Sequence, residues 1–251
     1  MNLTAGDLAM ILTPPLFAEA VGIVCDPWQR DLLSKMPRRA LLCCSRQSGK
    51  STITAIMALH TALFTSGALV VIVSPSQRQS AEMLRTIKML YAKLEGVPAL
   101  ATESVLKIEF ESGSRILALP STESTIRGLS SVALLVVDEA ARVPTDLIAA
   151  CKPMLAVSDG HLIMLSTPAG RRGTFFDLWH DTDSDEWLRV AVPASQCPRI
   201  SAAFLASERK ELGEVRYSEE YLLAWGDNDT MAFSSSIIAD AFTNEVTPLW
   251  K

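Results

Sequence analysis

Unbroken apolar runs recur along this chain between stretches of helical period, and that pattern predicts an α/β fold. Arg39–Cys44 (Ala-Leu-Leu-Cys-Cys behind an arginine), Ala68–Ser74, Val132–Val137 and His161–Leu165 are each apolar at nearly every position. A strand with one wet face would alternate, so these predict a mostly parallel sheet covered by helices on both sides. Trp187–Val192 is a fifth candidate strand, and Leu106–Glu111 and Arg115–Leu119 flank Ser112-Gly113-Ser114 as a hairpin. Helices are expected from Pro27 to Lys35, with Asp26 as N-cap and Pro27 in the first turn, from Lys50 to Thr65, closed by Gly67, and from Gln77 to Leu94. Beyond Ser201 the pattern is helical, Ala202–Leu212 then Glu214–Ala224, followed by about 20 residues of little pattern beyond Ile237–Phe242. The division expected is an α/β core over residues 1–200 and a small helical lid and linker over 201–251.

Two strand ends carry chemistry. Cys44-Ser45-Arg46-Gln47-Ser48-Gly49-Lys50-Ser51-Thr52 lies between a strand and a helix. There, consecutive backbone N–H groups at a helix N-terminus can cradle phosphates, with Lys50 supplying charge and the Ser51 hydroxyl a ligand for Mg²⁺. Gly-Lys-Ser alone is weak, and Cys44 stands where the usual pattern starts with glycine; the strand–loop–helix setting carries the assignment. Leu134-Leu135-Val136-Val137-Asp138-Glu139 delivers two adjacent acids at the end of a buried strand, where open α/β sheets bind ligands. Asp138 suits the Mg²⁺ shell, and Glu139 is placed to polarise an attacking water as general base. Ser166-Thr167, at the end of another central strand, suits a γ-phosphate sensor, or simply a turn before Pro168. Gln29 could read an adenine edge beside Trp28; a core Trp28 and a surface Gln29 fit equally well.

Composition narrows the partners little. Net charge is −5 and pI about 5.3, which excludes a generally basic surface but not one basic face. The five cysteines are odd in number and lack CxxC spacing, so neither a disulfide framework nor a zinc site is expected, and Cys43 and Cys44 read as core. No apolar run approaches the roughly 20 residues of a membrane span, and no secretion signal is visible. Asp181–Glu186 lacks the glycine and glutamate of a calcium loop and reads as solvated; His60, His161 and His180 have no ligand spacing.

In combination these motifs resemble the ATPase half of tailed-phage large terminase subunits. Ser45-Arg46-Gln47-Ser48-Gly49-Lys50-Ser51 is similar to that family's deviant Walker A, and Trp28-Gln29 to its adenine-recognising Q motif. Thr125-Ile126-Arg127-Gly128 lies before Val136-Val137-Asp138-Glu139-Ala140-Ala141, and Ser166-Thr167-Pro168-Ala169-Gly170 is similar to the coupling motif. The resemblance spans about Asp26 to Asp227. It implies a P-loop (ASCE/RecA-like) fold, ATP and Mg²⁺ as cofactors, and double-stranded DNA, a portal protein and a small terminase subunit as partners. It further implies a homo-oligomeric ring when assembled on the procapsid in the infected host's cytoplasm, and is compatible with a monomer in isolation. Arg127 would be the finger given to a neighbouring site, Arg46 a trigger within its own loop, and Arg142 a competitor. Ala232-Phe233-Ser234 resembles the end of the family's ATPase domain, so DNA cleavage is not expected of these residues. Arg171-Arg172 are weak candidates for DNA contacts. A helicase-like translocase and an ATP-dependent clamp are the alternatives; the first needs a second RecA-like domain, and Glu139 speaks against the second.

Overall fold

The computed structural model describes residues 5–121, 128–181, 183–226 and 241. Eight strands make one sheet: β1 (Arg39–Cys44), β2 (Leu69–Ser74), β3 (Leu100–Glu103), β4 (Lys107–Phe110), β5 (Arg115–Pro120), β6 (Val132–Asp138), β7 (His161–Ser166) and β8 (Leu188–Val192). Their order is β3-β4-β5-β2-β6-β7-β1-β8. The six from β5 to β8 in that order are mutually parallel, while β3 and β4 run antiparallel at one edge.

The apolar runs are continuous because both faces are covered. On one face Ala40, Leu42, Val70, Ile72, Val136, Ile163 and Leu165 pack beneath helical side chains including Phe17, Leu32, Ile56 and Leu84. These belong to α2 (Pro14–Ala20), α3 (Pro27–Lys35), α4 (Lys50–Phe64) and α5 (Gln77–Tyr91), with α1 (Ala5–Leu12) ahead of them. On the other face Leu41, Cys43, Val71, Val73, Leu135, Val137 and Met164 meet Leu147 and Ile148 of α6 (Thr145–Cys151) and Phe175 of α7 (Thr174–His180). Cys43 and Cys44 are buried core residues on opposite faces. The expected hairpin is β4–β5, closed by Gly113 N–H to Phe110 O at 2.9 Å.

The last described helix, α8 (Ala202–Leu222), is two helical pieces separated at Gly213, whose φ of 75° and ψ of 165° belong to a region open essentially to glycine alone. An added Cβ there would meet nothing within 4 Å, so glycine serves the bend rather than close packing. Tyr217 and Tyr221 of the second piece pack on Ala194, just after β8. The topology puts β7 between β1 and β6. The C-terminal ends of all three therefore open on one edge of the sheet, bringing together the motifs that follow them.

Candidate functional site

After β1 the chain turns through residues 45–49 into α4. The Ser45 N–H donates to Val192 O at 2.9 Å, pinning the start of the loop to β8. Gln47 (φ 59°) and Gly49 (φ 88°) are left-handed, and Gly49 is the N-cap of α4. A side chain at Gly49 would not fit, since a Cβ would lie 2.7 Å from Gln29 Nε2 and 3.2 Å from Arg199 Nη2. Lys50 is buried, while Ser51 and Thr52, next along α4, remain accessible.

Opposite the loop, β6 ends in buried Asp138, and Glu139 follows in a left-handed conformation (φ 49°, ψ 44°). For a residue with a Cβ that conformation costs about 1–3 kcal/mol, held in place by its surroundings. The Glu139 carboxylate lies between two cations: Lys50 Nζ is 3.4 Å from Oε1, and Arg142 Nη1 donates to Oε2 at 2.8 Å. The same Arg142 nitrogen donates to Thr167 Oγ1 at 3.0 Å, and the Ala141 N–H donates to Ser166 Oγ at 3.3 Å. One contact chain thus runs from Lys50 through Glu139 and Arg142 to Thr167, with Ser166 held beside it.

Asp138 has its carboxyl pushed up to about 6 by burial first and by the Glu139 charge second, against a lowering by Lys50. With the accessible Ser51 hydroxyl this carboxyl could hold Mg²⁺, which takes few protein oxygens and completes its shell with phosphates and water. A raised carboxyl pKa opposes folding only when ionised. The contribution is neutral below about 3.8, grows unfavourable as pH rises to about 6, and stays so above, at about 3 kcal/mol. Asp138→Asn is expected to raise the melting temperature of the nucleotide-free chain at pH 8 by about 5–10 °C. Below pH 4 the gain should vanish. Differential scanning calorimetry across pH checks this, and equal melting of both proteins at pH 8 would refute it.

Both base-side candidates lie at the start of α3. Gln29 is only 3% exposed, its Oε1 accepts from Asp26 N–H at 2.9 Å, and its Nε2 faces Gly49 O at 3.5 Å. Its amide braces the loop and closes the α3 N-terminus, while the half-buried Trp28 packs on the core. Arg199, absent from the motif reading, completes the brace: it donates to both oxygens of Asp26 at 2.8 and 2.7 Å and to Ser48 O at 3.1 Å. Arg46 also has an unforeseen partner, donating to both oxygens of Glu220 on α8 at 2.7 and 2.8 Å. Arg171 donates to Trp225 O at 3.1 Å, and Arg172 borders a cleft of about 990 Å³ shared with Arg142 and Gly213. Arg127, like Thr125 and Ile126, lies outside the described residues, as do Ala232-Phe233-Ser234 and, apart from Ala241, Ile237–Phe242. His60 bonds Met10 O, His161 Pro37 O and His180 Phe176 O. Asp181 and Asp183–Glu186 lie on an outer loop whose carbonyls Arg189 gathers.

Residues 41–239 match the family model described as terminase large subunit, T4likevirus-type, N-terminal. The ATPase domain of the Thermus phage P74-26 large terminase superposes with a TM-score of 0.72 at 17% identity, covering 84% of this chain and 97% of that one. The bacteriophage HK97 large terminase gives 0.69 at 18%, covering 88% of this chain and 55% of its own. The large terminase of a thermophilic bacteriophage, solved in complex with ADP, gives 0.61 at 15%, with 83% and 52% covered. The chain therefore spans about half of the last two proteins. At these identities the superpositions establish a shared fold.

Proposed function

The chain belongs to the T4likevirus-type terminase large-subunit family, within its N-terminal region, and we infer that it is the ATP-hydrolysing motor that drives double-stranded DNA into a procapsid. The observation that carries this reading is the chain of contacts Lys50–Glu139–Arg142–Thr167 at the ends of β1, β6 and β7.

Without nucleotide, Glu139 is held by two cations and is a poor base. A γ-phosphate entering the loop offers Lys50 and Arg142 a more highly charged partner, and their withdrawal frees the carboxylate. Glu139 then takes a proton from a water as its oxygen attacks the γ-phosphorus, and the bond to the β–γ bridging oxygen breaks to leave ADP. Ser51 and Asp138 would hold Mg²⁺, which would supply neutralisation of the charge building on the phosphate oxygens. The protein's remaining contribution is positioning, by the loop N–H groups and the Gln29–Asp26–Arg199 brace behind them.

Two contacts suit the coupling of that event to motion. Arg142 joins the catalytic carboxylate to Thr167, so its departure is felt at the end of β7. Arg46 is tied to Glu220 through both carboxylate oxygens, with the Arg46 side of the pair open to solvent. A phosphate, more highly charged than one carboxylate, competes for Arg46 from that side, and release of the Glu220 carboxylate lets the second piece of α8 swing about Gly213 beside the open cleft. In a ring docked on a portal protein, with a small terminase subunit delivering DNA in the host cytoplasm, that swing would be the stroke.

The test is phosphate release by the unaltered chain over a range of protein concentrations, with Mg²⁺ and with EDTA. Turnover that needs Mg²⁺ and rises per subunit with concentration is expected. Absence of turnover at every concentration, even with procapsids and DNA present, would sink the motor reading.

A further inference from the structure

Ser74 ends β2 without solvent exposure, and its Oγ has no hydrogen-bond partner among the described residues. The backbone around it is fixed, since the Ser121 N–H donates to Ser74 O at 2.8 Å. Nearby serines show what such a hydroxyl ordinarily does. The Ser76 hydroxyl caps α5 by accepting from the Gln79 N–H, and Ser166, at the end of β7, accepts from the Ala141 N–H. Ser74 does neither. A buried hydroxyl gives up its bonds to water on folding, so one left unpaired is explained when a further group is received there.

Strand register identifies its neighbour. β2 and β6 run parallel with Val73 beside Val137, and one step further along brings Ser74 beside Asp138. Side chains alternate along a strand. Ser74 therefore continues the row of Val70 and Ile72, and Asp138 the row of Leu134 and Val136, and those rows share the face that α4 covers. The first residues of α4 are Lys50 and Ser51. Parallel strands lie about 4.8 Å apart, so hydroxyl and carboxylate are lateral neighbours at the ends of their strands. They are not bonded to each other: Asp138 Oδ1 accepts from the Glu139 N–H at 3.0 Å, and Ser74 Oγ stays unpaired.

We propose that Ser74 is a positioning residue for the cation: its hydroxyl holds a water of the Mg²⁺ shell against Asp138 and so orients both. Mg²⁺ keeps several waters when it binds one or two protein oxygens, and a water on a cation is a donor in need of an acceptor. A serine oxygen accepts while its O–H still donates, so one hydroxyl serves that water and the carboxylate together. Groups that orient the ligands of a metal govern its affinity by about 10–100-fold. The inference rests on the reading of Ser51 and Asp138 as the residues that hold Mg²⁺.

Titration calorimetry of this chain with ADP, in EDTA and over a range of Mg²⁺, separates the two levels. Ser74→Ala is expected to weaken Mg²⁺ at saturating ADP about tenfold. Ser74→Cys, which fills the same space with a poor acceptor, should do the same. ADP affinity in EDTA should be unchanged in both, which also shows that the variants fold. Added to Asp138→Asn, Ser74→Ala should weaken Mg²⁺ no further, because the two groups act on one shell. Unchanged Mg²⁺ affinity in Ser74→Ala would overturn the proposal, as would an equal loss of ADP in EDTA. Loss in the Ala variant alone, with the Cys variant intact, would mark a packing role and overturn it too, as would an additive loss in the double variant. An unaltered chain that binds ADP no better with Mg²⁺ than in EDTA would instead overturn the cation reading beneath it.

Discussion

Glu139→Gln is expected to hydrolyse ATP about 10²–10⁴-fold more slowly than the unaltered chain, the range in which a positioned general base acts. Nucleotide affinity should be retained or improved. The amide keeps the size and hydrogen-bonding reach of the carboxylate but cannot accept the proton of the attacking water. It also cannot hold Lys50 or Arg142 by charge, and those two contacts, at 3.4 and 2.8 Å, are what an incoming phosphate must displace. A change that abolishes chemistry while easing binding is a signature that simple damage to the loop would not give. Single-turnover hydrolysis together with a direct binding measurement checks both halves. Turnover within about threefold of the unaltered chain would remove Glu139 from the base role. Lost binding would mean that the carboxylate mainly organises the loop.

The parts of this site legible in the sequence are those whose signal is local. Gly49-Lys50-Ser51 follows an apolar run and opens a helix, and Asp138-Glu139 ends one, so strand, loop and chemistry lie within a short stretch of chain. The kink in α8 is legible for the same reason, because Gly213 interrupts two helical patterns. What is not legible depends on pairings across the chain. Arg199 meets Asp26 from 173 positions away, and Arg46 meets Glu220 from 174 away. Neither arginine's role has a local signature, since charged residues on loops and helices are ordinarily solvated. Gln29 departs from the surface reading: it is buried, and its Oε1 accepts from the Asp26 N–H. Among the elements, β3 is a four-residue, mostly exposed edge strand and α6 spans under two turns, both too short to show a period. The insertion of β7 between β1 and β6 is a tertiary fact, and it is what brings Thr167 within reach of Arg142.

Arg142→Ala carries the second large effect, a loss of turnover of about 10³-fold, the low end of what an arginine at a transferring phosphate supplies. In the motif reading Arg142 only competes with Arg127 for this part. The geometry gives Arg142 a definite place: one nitrogen bridges the Glu139 carboxylate and the Thr167 hydroxyl of its own chain. The proposed function has it act in its own site, stabilising charge on the γ-phosphate and reporting its loss to the end of β7, and leaves Arg127 to act on a neighbour. Arg142→Lys should recover little, because an ammonium on a flexible stem lacks the planar fork. Mixing variants separates the two arginines. A subunit with Arg142→Ala mixed with one carrying Glu139→Gln should stay inactive, since each site lacks one of its own groups. Arg127→Ala mixed with Glu139→Gln should regain activity at high protein concentration, where an intact Arg127 can reach an intact Glu139 across subunits. Recovery in the Arg142 mixture would place that arginine in the neighbouring site, and the Glu139–Arg142–Thr167 contact would then be a resting latch rather than part of catalysis.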